Sequence, residues 1–402
     1  MFKFVGELEL SKSWLNRMLI LNSFSQTISF RGSSSADDCC LLDQALQEFK
    51  DGKNHFNAGK GGTTFRFLAF RISRIKGNYK VALDESLLKR PLDDLIQILE
   101  QLGVKSYLNS KNEFEIHSQG WCDTKEYIQI NSNKSSQFLS GLLLSSIECP
   151  FDIKIKINRP IASESYFEYT LKLLNQVGVQ YAINKNENEL MIEIKKNQFI
   201  KIDELQSELD ISSAFTICSA AVLSGEVQIT NWNKESNQPD KVFLKYFDMM
   251  NISYIENNNL FSIQKANKYK AIEVNLQNAP DLFPVLAVLC SFAEGISYLF
   301  GADQLIYKES NRLEKTIELL NKCQVKIEVV ENGIKIHGDP NRTYYKKDLI
   351  LFDTASDHRM AFAAALFILK KYPIKMNDPK VISKSYPQFY EHIGLNLLRD
   401  LN

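Results

Sequence analysis

The chain has no surplus charge of either sign: 48 Lys and Arg residues balance 48 Asp and Glu. With no net field to gather a polyanion, neither a nucleic-acid partner nor an acidic membrane surface is expected. A long hydrophobic run is also missing. The longest largely apolar stretch, Leu282 to Ala293, is ended by Glu294 and is too short to span a bilayer. Lys3 and Glu7 bring charge into the first residues too early for a secretion signal, so a cytoplasmic location is expected. Cysteine is scarce and unpatterned. The seven (Cys39, Cys40, Cys122, Cys149, Cys218, Cys290 and Cys323) are odd in number and form no Cys-x-x-Cys pair. Reduced, mostly buried thiols are the simplest account. The five histidines are scattered without metal-ligand spacing, so no metal site is expected.

What the sequence does contain is a repeat. The stretch from Pro91 to Val104 reads as an amphipathic helix, a turn glycine at Gly103 and then a strand. The same phrase returns over Tyr169 to Val179, Val242 to Ile252 and Leu313 to Val325. The turn positions Gly103, Gly178, Asn251 and Gln324 are spaced 73 to 75 residues apart. Shortened copies around Leu42 to Gly52 and Phe389 to Gly394 would make six. Apolar residues at i, i+3, i+4 and i+7 give each helix one buried face. Val325-Lys326-Ile327-Glu328-Val329 alternates as a strand does in a sheet covered on one face. A pseudo-symmetric α/β protein built of roughly βαβαββ units is expected, and 402 residues suffice for two or three domains. If the units group into two halves, the cleft between them is the expected active site.

Two charged runs stand before apolar helix in the second half. Asp357-His358-Arg359-Met360 leads into Ala361–Phe367, and Lys308-Glu309-Ser310-Asn311-Arg312 leads into Leu313. A helix start offers unsatisfied N–H groups and a positive dipole end, and a guanidinium grips carboxylate or phosphate through two parallel bonds. Each run is therefore a candidate anion seat; each alone also reads as a surface helix start with solvated charges. Near the N-terminus, Ser11-Lys12-Ser13-Trp14-Leu15-Asn16-Arg17 opens another helix, with a serine to cap it and Arg17 one turn beyond Ser13.

Taken together, these motifs resemble the 5-enolpyruvylshikimate-3-phosphate synthase family. The likeness is carried by Ser-Lys-Ser-x-x-Asn-Arg at 11–17, Ser135-Ser136-Gln137-Phe138, Lys308-Glu309-x-x-Arg312, Asp357-His358-Arg359-Met360 and Lys384, in matching order and spacing. It runs from about Glu7 to Glu391. The resemblance implies the enolpyruvyl transferase fold, an inside-out α/β barrel of two domains with three βαβαββ units each. One domain would hold residues 1–10 with 206–402 and the other 11–205, with the active site in the cleft between them.

By the same resemblance, shikimate 3-phosphate is held by Lys12, Ser13, Arg17, Ser135, Ser136, Ser163 and Tyr166, with Asp281 and Lys308 at its reacting hydroxyl. Phosphoenolpyruvate would meet Lys12, Gly62, Arg90, Gln137, Arg312, Arg359 and Lys384, with Thr63 and Arg66 in the glycine-rich loop around Gly62. Asp281, Lys308, Glu309 and His358 are the implied catalytic residues. Without the resemblance, Pro280-Asp281 before an apolar helix reads only as a helix cap. The implied reaction needs no metal or organic cofactor, its partners are the two small substrates, and a monomer is expected.

Several positions depart from the family pattern. Lys60 and Gly61 replace the usual Asn-Ala or Asn-Ser, and Glu164-Ser165 replaces Lys-Pro. Ile306 stands where a basic residue usually precedes the Lys-Glu pair. Ser86 occupies the place of an arginine in one branch, which makes Arg90 the candidate in its stead. These changes bear on affinity and inhibitor response more than on reaction type. Two alternatives remain. A UDP-amino-sugar enolpyruvyl transferase would use a loop cysteine, and Asp84 to Pro91 contains none. A non-catalytic anion-binding relative would bind without turnover.

Overall fold

The computed structural model describes every residue except Pro91, Lys125, Lys134, 345–347 and 398–402. Pro91, which heads the first repeat phrase, therefore lies outside the described residues. The chain divides into two compact units: Met1–Ser11 with the chain from Glu208 onward, and Lys12–Ser207.

Four four-stranded sheets share one topology. In the Lys12–Ser207 unit, His55–Asn57 pairs parallel with Gly77–Ala82, which pairs antiparallel with Glu113–Ser118, flanked in turn by Lys105–Leu108. Ile128–Asn131, Ile153–Asn158, Glu189–Ile194 and Tyr181–Lys185 repeat that order. In the other unit Glu273–Asn275, Gly295–Phe300, Gly333–Gly338 and Ile327–Val330 do the same. The fourth sheet is split in sequence. Phe2–Gly6 pairs with Gly225–Ile229, which is followed spatially by Leu260–Gln264 and Tyr254–Asn257. A fifth sheet holds only the parallel pair Ile350–Phe352 and Ile374–Met376. Among the described residues no sheet closes into a ring.

In each parallel pair an α-helix leads into the second strand, and between Phe2–Gly6 and Gly225–Ile229 the connection also holds the whole Lys12–Ser207 unit. These helices are buried almost all round: Gly62–Ser73 and Gln137–Ser145 in one unit, and Ile211–Ser224, Phe283–Ser291 and His358–Leu369 in the other. The sheets take the outside. In Ile153–Asn158 the isoleucines at 153, 155 and 157 are buried, whereas Lys154 and Lys156 point outward. The second helix of each unit is amphipathic. Asp93–Gln101 opens with two aspartates at its dipole's positive end and buries Leu95, Ile98 and Leu99.

The repeat is sharpest at the turns after these second helices. Gly103, Gly178, Asn251 and Gln324 all have φ between 57° and 85°, in the left-handed region. The next residue donates its N–H five positions back in each case: Val104 to Leu99, Val179 to Leu174, Ile252 to Phe247 and Val325 to Leu320. That is the Schellman closure of a helix C-terminus. The shortened copies share it, with Gly52 and Gly394 left-handed and bonds from Lys53 to Glu48 and Leu395 to Tyr390. Asn251 and Gln324 accept a conformation that glycine adopts freely, which is why a search for glycine alone finds only part of the repeat.

Candidate active site

In the unit that begins at Glu208, Arg312 is the centre of a buried ionic cluster. It is the first residue of helix Arg312–Lys322, whose start is capped by the Asn311 side chain accepting from the Glu314 N–H. The guanidinium is 1 % exposed and reaches three carboxylates. Nε donates to Asp357 Oδ2 at 2.8 Å, Nη1 to Asp281 Oδ1 at 2.8 Å, and Nη2 to Glu309 Oε2 at 2.7 Å. Arg359 Nη2 holds the other oxygen of Asp281 at 3.2 Å, and Lys308 Nζ lies 3.8 Å from Asp281 Oδ1. Lys384 Nζ donates to Glu309 Oε1 at 3.0 Å. Asp357 caps helix His358–Leu369 by accepting from the Arg359 N–H at 2.9 Å, and it also takes the Ser310 hydroxyl at 3.0 Å. His358 is buried, with Nδ1 3.9 Å from Asp357 Oδ1 and its ring edge-on to Phe362.

The sequence motifs suggested open anion seats at Arg312 and Arg359. The structure fills those places with the protein's own carboxylates. Burial pushes the Asp281 carboxyl up, but Arg312, Arg359 and Lys308 together outweigh it and hold the group well below the usual carboxylate range. Burial lowers Arg359, and Asp281 with the more distant Asp240 and Asp210 more than restores it, so both arginines stay charged. Asp281 itself is 23 % exposed at its side chain, the most open of the three carboxylates.

In the Lys12–Ser207 unit the residues named by the sequence fall into a second constellation. Lys12 Nζ pairs with Asp38 Oδ2 at 3.1 Å, both largely buried. Gln137, the first residue of helix Gln137–Ser145, bridges the glycine-loop helix: its amide donates to Thr63 Oγ1 at 3.0 Å and accepts from Arg66 Nη1 at 2.5 Å. The Ser135 hydroxyl accepts from the Gln137 N–H at 3.2 Å, and Ser136 is buried at the same helix start. Gly62 begins helix Gly62–Ser73 beneath two guanidiniums. A Cβ there would sit 2.7 Å from Arg90 Cζ and 2.8 Å from Arg66 Nη1. Ser86, at the position of an arginine in one family branch, instead donates its N–H and hydroxyl to Asp84 in a local cap. Arg90 lies against Gly62.

Arg17 belongs to the same unit, on helix Lys12–Leu21. It is almost fully buried and held by protein acceptors: Thr170 Oγ1 at 2.9 Å and the carbonyls of Ser13 and Tyr166 at 2.6 and 3.0 Å. Its guanidinium also stacks on Phe67 and Tyr169. Tyr166 joins through its backbone, and Ser163, before it, is a buried residue at φ 54° that starts helix Glu164–Gln176.

The family model for EPSP synthase (3-phosphoshikimate 1-carboxyvinyltransferase) matches residues 17–393. The chain belongs to the EPSP synthase family. A 3-phosphoshikimate 1-carboxyvinyltransferase from Methanococcus maripaludis is 29 % identical, over 96 % of this chain and 95 % of the relative. The enzyme of that name from Pyrococcus furiosus is 29 % identical over 97 % and 92 %. The fold is that of EPSP synthase from Acinetobacter baumannii, with TM-score 0.74 at 19 % identity over 98 % of this chain and 95 % of that one. The enolpyruvyl transferase NikO from Streptomyces tendae shares it, with TM-score 0.69 at 13 % identity over 97 % and 94 %.

Sequence reasoning passed over two contributors and the role of a third. Asp38 partners Lys12, but at a helix start it carries no signal beyond that of a cap. Thr170 binds Arg17 across 153 residues of sequence. Asp357 was visible within its motif, yet its hold on Arg312 depends on a contact 45 residues away.

Proposed function

We propose that this family member transfers the enolpyruvyl group of phosphoenolpyruvate to the 5-hydroxyl of shikimate 3-phosphate, releasing phosphate. The observation that carries the reading is the Arg312–Asp281–Glu309–Arg359 cluster with Lys308 and Lys384 on its rim. It supplies cations for an anionic substrate beside carboxylates able to move protons. The two domains are read as inside-out α/β barrels, their crossover helices inward. Shikimate 3-phosphate is assigned to Ser13, Arg17, Ser135, Ser136, Ser163 and Tyr166, with Lys12, Asp281 and Lys308. Phosphoenolpyruvate is assigned to Lys12, Gly62, Arg90, Gln137, Arg312, Arg359 and Lys384.

In the addition step the substrate oxygen bonds to C2 of phosphoenolpyruvate, its proton leaves toward Asp281 and Lys308, and a proton from Glu309 reaches C3. In the elimination a proton leaves the new methyl group to Glu309 and phosphate departs. A carboxyl serves both directions when its pKa is raised toward the working pH. Asp281, clamped by two arginines, is a poor base as it stands. An incoming phosphate and carboxylate would compete for Arg312 and Arg359, release Asp281 and raise its proton affinity at the moment a base is required. Lys12, Arg312, Arg359, Lys384 and His358 would balance charge as the tetrahedral intermediate forms and collapses.

Phosphate release from the purified protein tests the reaction. Release that requires both phosphoenolpyruvate and shikimate 3-phosphate is expected; release absent from a folded protein that binds either substrate would overturn it. The glycine loop gives a narrower test. A methyl group on Gly62 meets the buried guanidiniums of Arg90 and Arg66, which must shift to admit it, so Gly62→Ala should cost about 1–3 kcal/mol of stability in a protein that still folds. It should weaken phosphoenolpyruvate by roughly tenfold, about one charge-assisted hydrogen bond. Calorimetric titration showing unchanged affinity would detach Gly62 and Arg90 from that ligand.

A further inference from the structure

Just before Asp357 the backbone takes a form that its residues do not favour. Ala355 and Ser356 both lie in the left-handed region, at φ 50° and 54°, and the Asp357 N–H closes the turn onto the Thr354 carbonyl at 3.0 Å. Two consecutive left-handed residues make a type I′ turn, whose usual occupants are Asn-Gly or Gly-Gly. Alanine and serine hold it against their own preference, and such strain persists only where the surroundings impose it.

Two side chains, Asn377 and Asp353, meet the turn here. Asn377 follows strand Ile374–Met376, and Asp353 and Thr354 follow its parallel partner Ile350–Phe352, so all three meet at the same end of the two-stranded sheet. Asn377 Oδ1 accepts from the Thr354 N–H at 2.9 Å and the Thr354 hydroxyl at 3.2 Å. Its amide donates to Asp353 Oδ1 at 2.6 Å, and that oxygen accepts from the Ala355 N–H at 2.9 Å. Asn377 thereby fixes the N–H groups of the turn's first two residues, one directly and one through Asp353. The turn in turn sets where Asp357 stands to cap helix His358–Leu369 and to hold Arg312.

We propose that Asn377 is a positioning residue: it holds a strained Ala355-Ser356 turn that places Asp357, His358 and Arg359. Asn377 is itself exposed, so its amide is not needed to fill the core. Its effect on turnover rests on the reaction proposed above; its effect on the position of His358 does not.

Asn377→Ala should lower kcat by roughly tenfold to a hundredfold, the range a misplacement of about 1 Å costs, in a protein that remains folded. Glycine at both turn positions removes the left-handed penalty, so A355G/S356G alone should keep normal turnover. Added to N377A, the glycine pair should restore most of the lost rate. A residue serving stability alone would lose rate only as the folded fraction falls, and the glycine pair would give no such recovery. Histidine NMR supplies the readout that needs no turnover. The His358 ring signals, assigned against H358Q among the five histidines, should shift in N377A and return with the glycine pair. If the wild-type protein proves inactive, the reaction fails while the NMR comparison still decides the turn. Unchanged His358 signals and full kcat in N377A would overturn the proposal, as would loss without recovery by the glycine pair.

Discussion

Replacing Glu309 with glutamine should cut kcat by about 10² to 10⁴, the usual worth of a positioned general acid–base, while KM for both substrates moves only a few-fold. Glutamine keeps the shape of the side chain. Its amide oxygen can still accept from one cation, Arg312 Nη2 (2.7 Å from Glu309 Oε2) or Lys384 Nζ (3.0 Å from Oε1), while its NH2 end cannot accept from the other. What the chemistry loses is the capacity to take and return a proton. The loss should therefore fall on the chemical step, and steady-state kinetics with each substrate varied in turn separates it from binding. A second readout follows from the two proton transfers at the same carbon. Exchange of methylene protons with deuterated solvent should slow at least as much as turnover. Near-normal turnover in Glu309→Gln would remove this residue from the chemistry and leave it as a holder of Arg312.

Arg312→Met should be strongly destabilising. The guanidinium is buried and pairs with Asp281, Glu309 and Asp357 at once. Removing the cation leaves buried negative charges facing one another, and breaking a buried pair in this way costs about 3–5 kcal/mol. For a domain of this size that corresponds to a fall in melting midpoint of roughly 10 °C. Lysine should not rescue it, because one ammonium cannot meet three carboxylates through a planar fork. The pH dependence should change sign. In the native protein the Asp281 carboxyl is held low, so its contribution to stability is fully present above its unfolded pKa of about 3.9 and is lost only as pH falls below that. In the variant, burial and mutual repulsion push the carboxyls up. Stability should then rise on acidification from neutral pH, because protonation relieves the repulsion. Thermal melts across pH 5 to 8 distinguish the two: flat or falling toward acid for the native chain, rising for the variant. An Arg312→Met protein that melts at the native temperature would mean that the cluster is hydrated and its ion pairs weak.

The sequence by itself determined the features whose physics is local. Amphipathic spacing marked the second helix of each unit, and the near-constant spacing of Gly103, Gly178, Asn251 and Gln324 marked their ends, since a helix closes through residues within five positions of each other. The motif residues were legible as a set because charged side chains at helix starts stand out against apolar neighbours. Tertiary structure alone decided what those residues do to one another. Asp281 meets Arg312 across 31 residues and Arg359 across 78, and Arg17 meets Thr170 across 153. No pattern along the chain encodes such pairs. Nor does the sequence say that the arginines would be occupied by carboxylates of the protein, because that depends on burial, where a cation without a partner is too costly to keep. The left-handed Ala355-Ser356 turn was equally hidden: neither residue prefers that conformation, and the Asn377 bonds that meet it come from a residue more than twenty positions further along the chain.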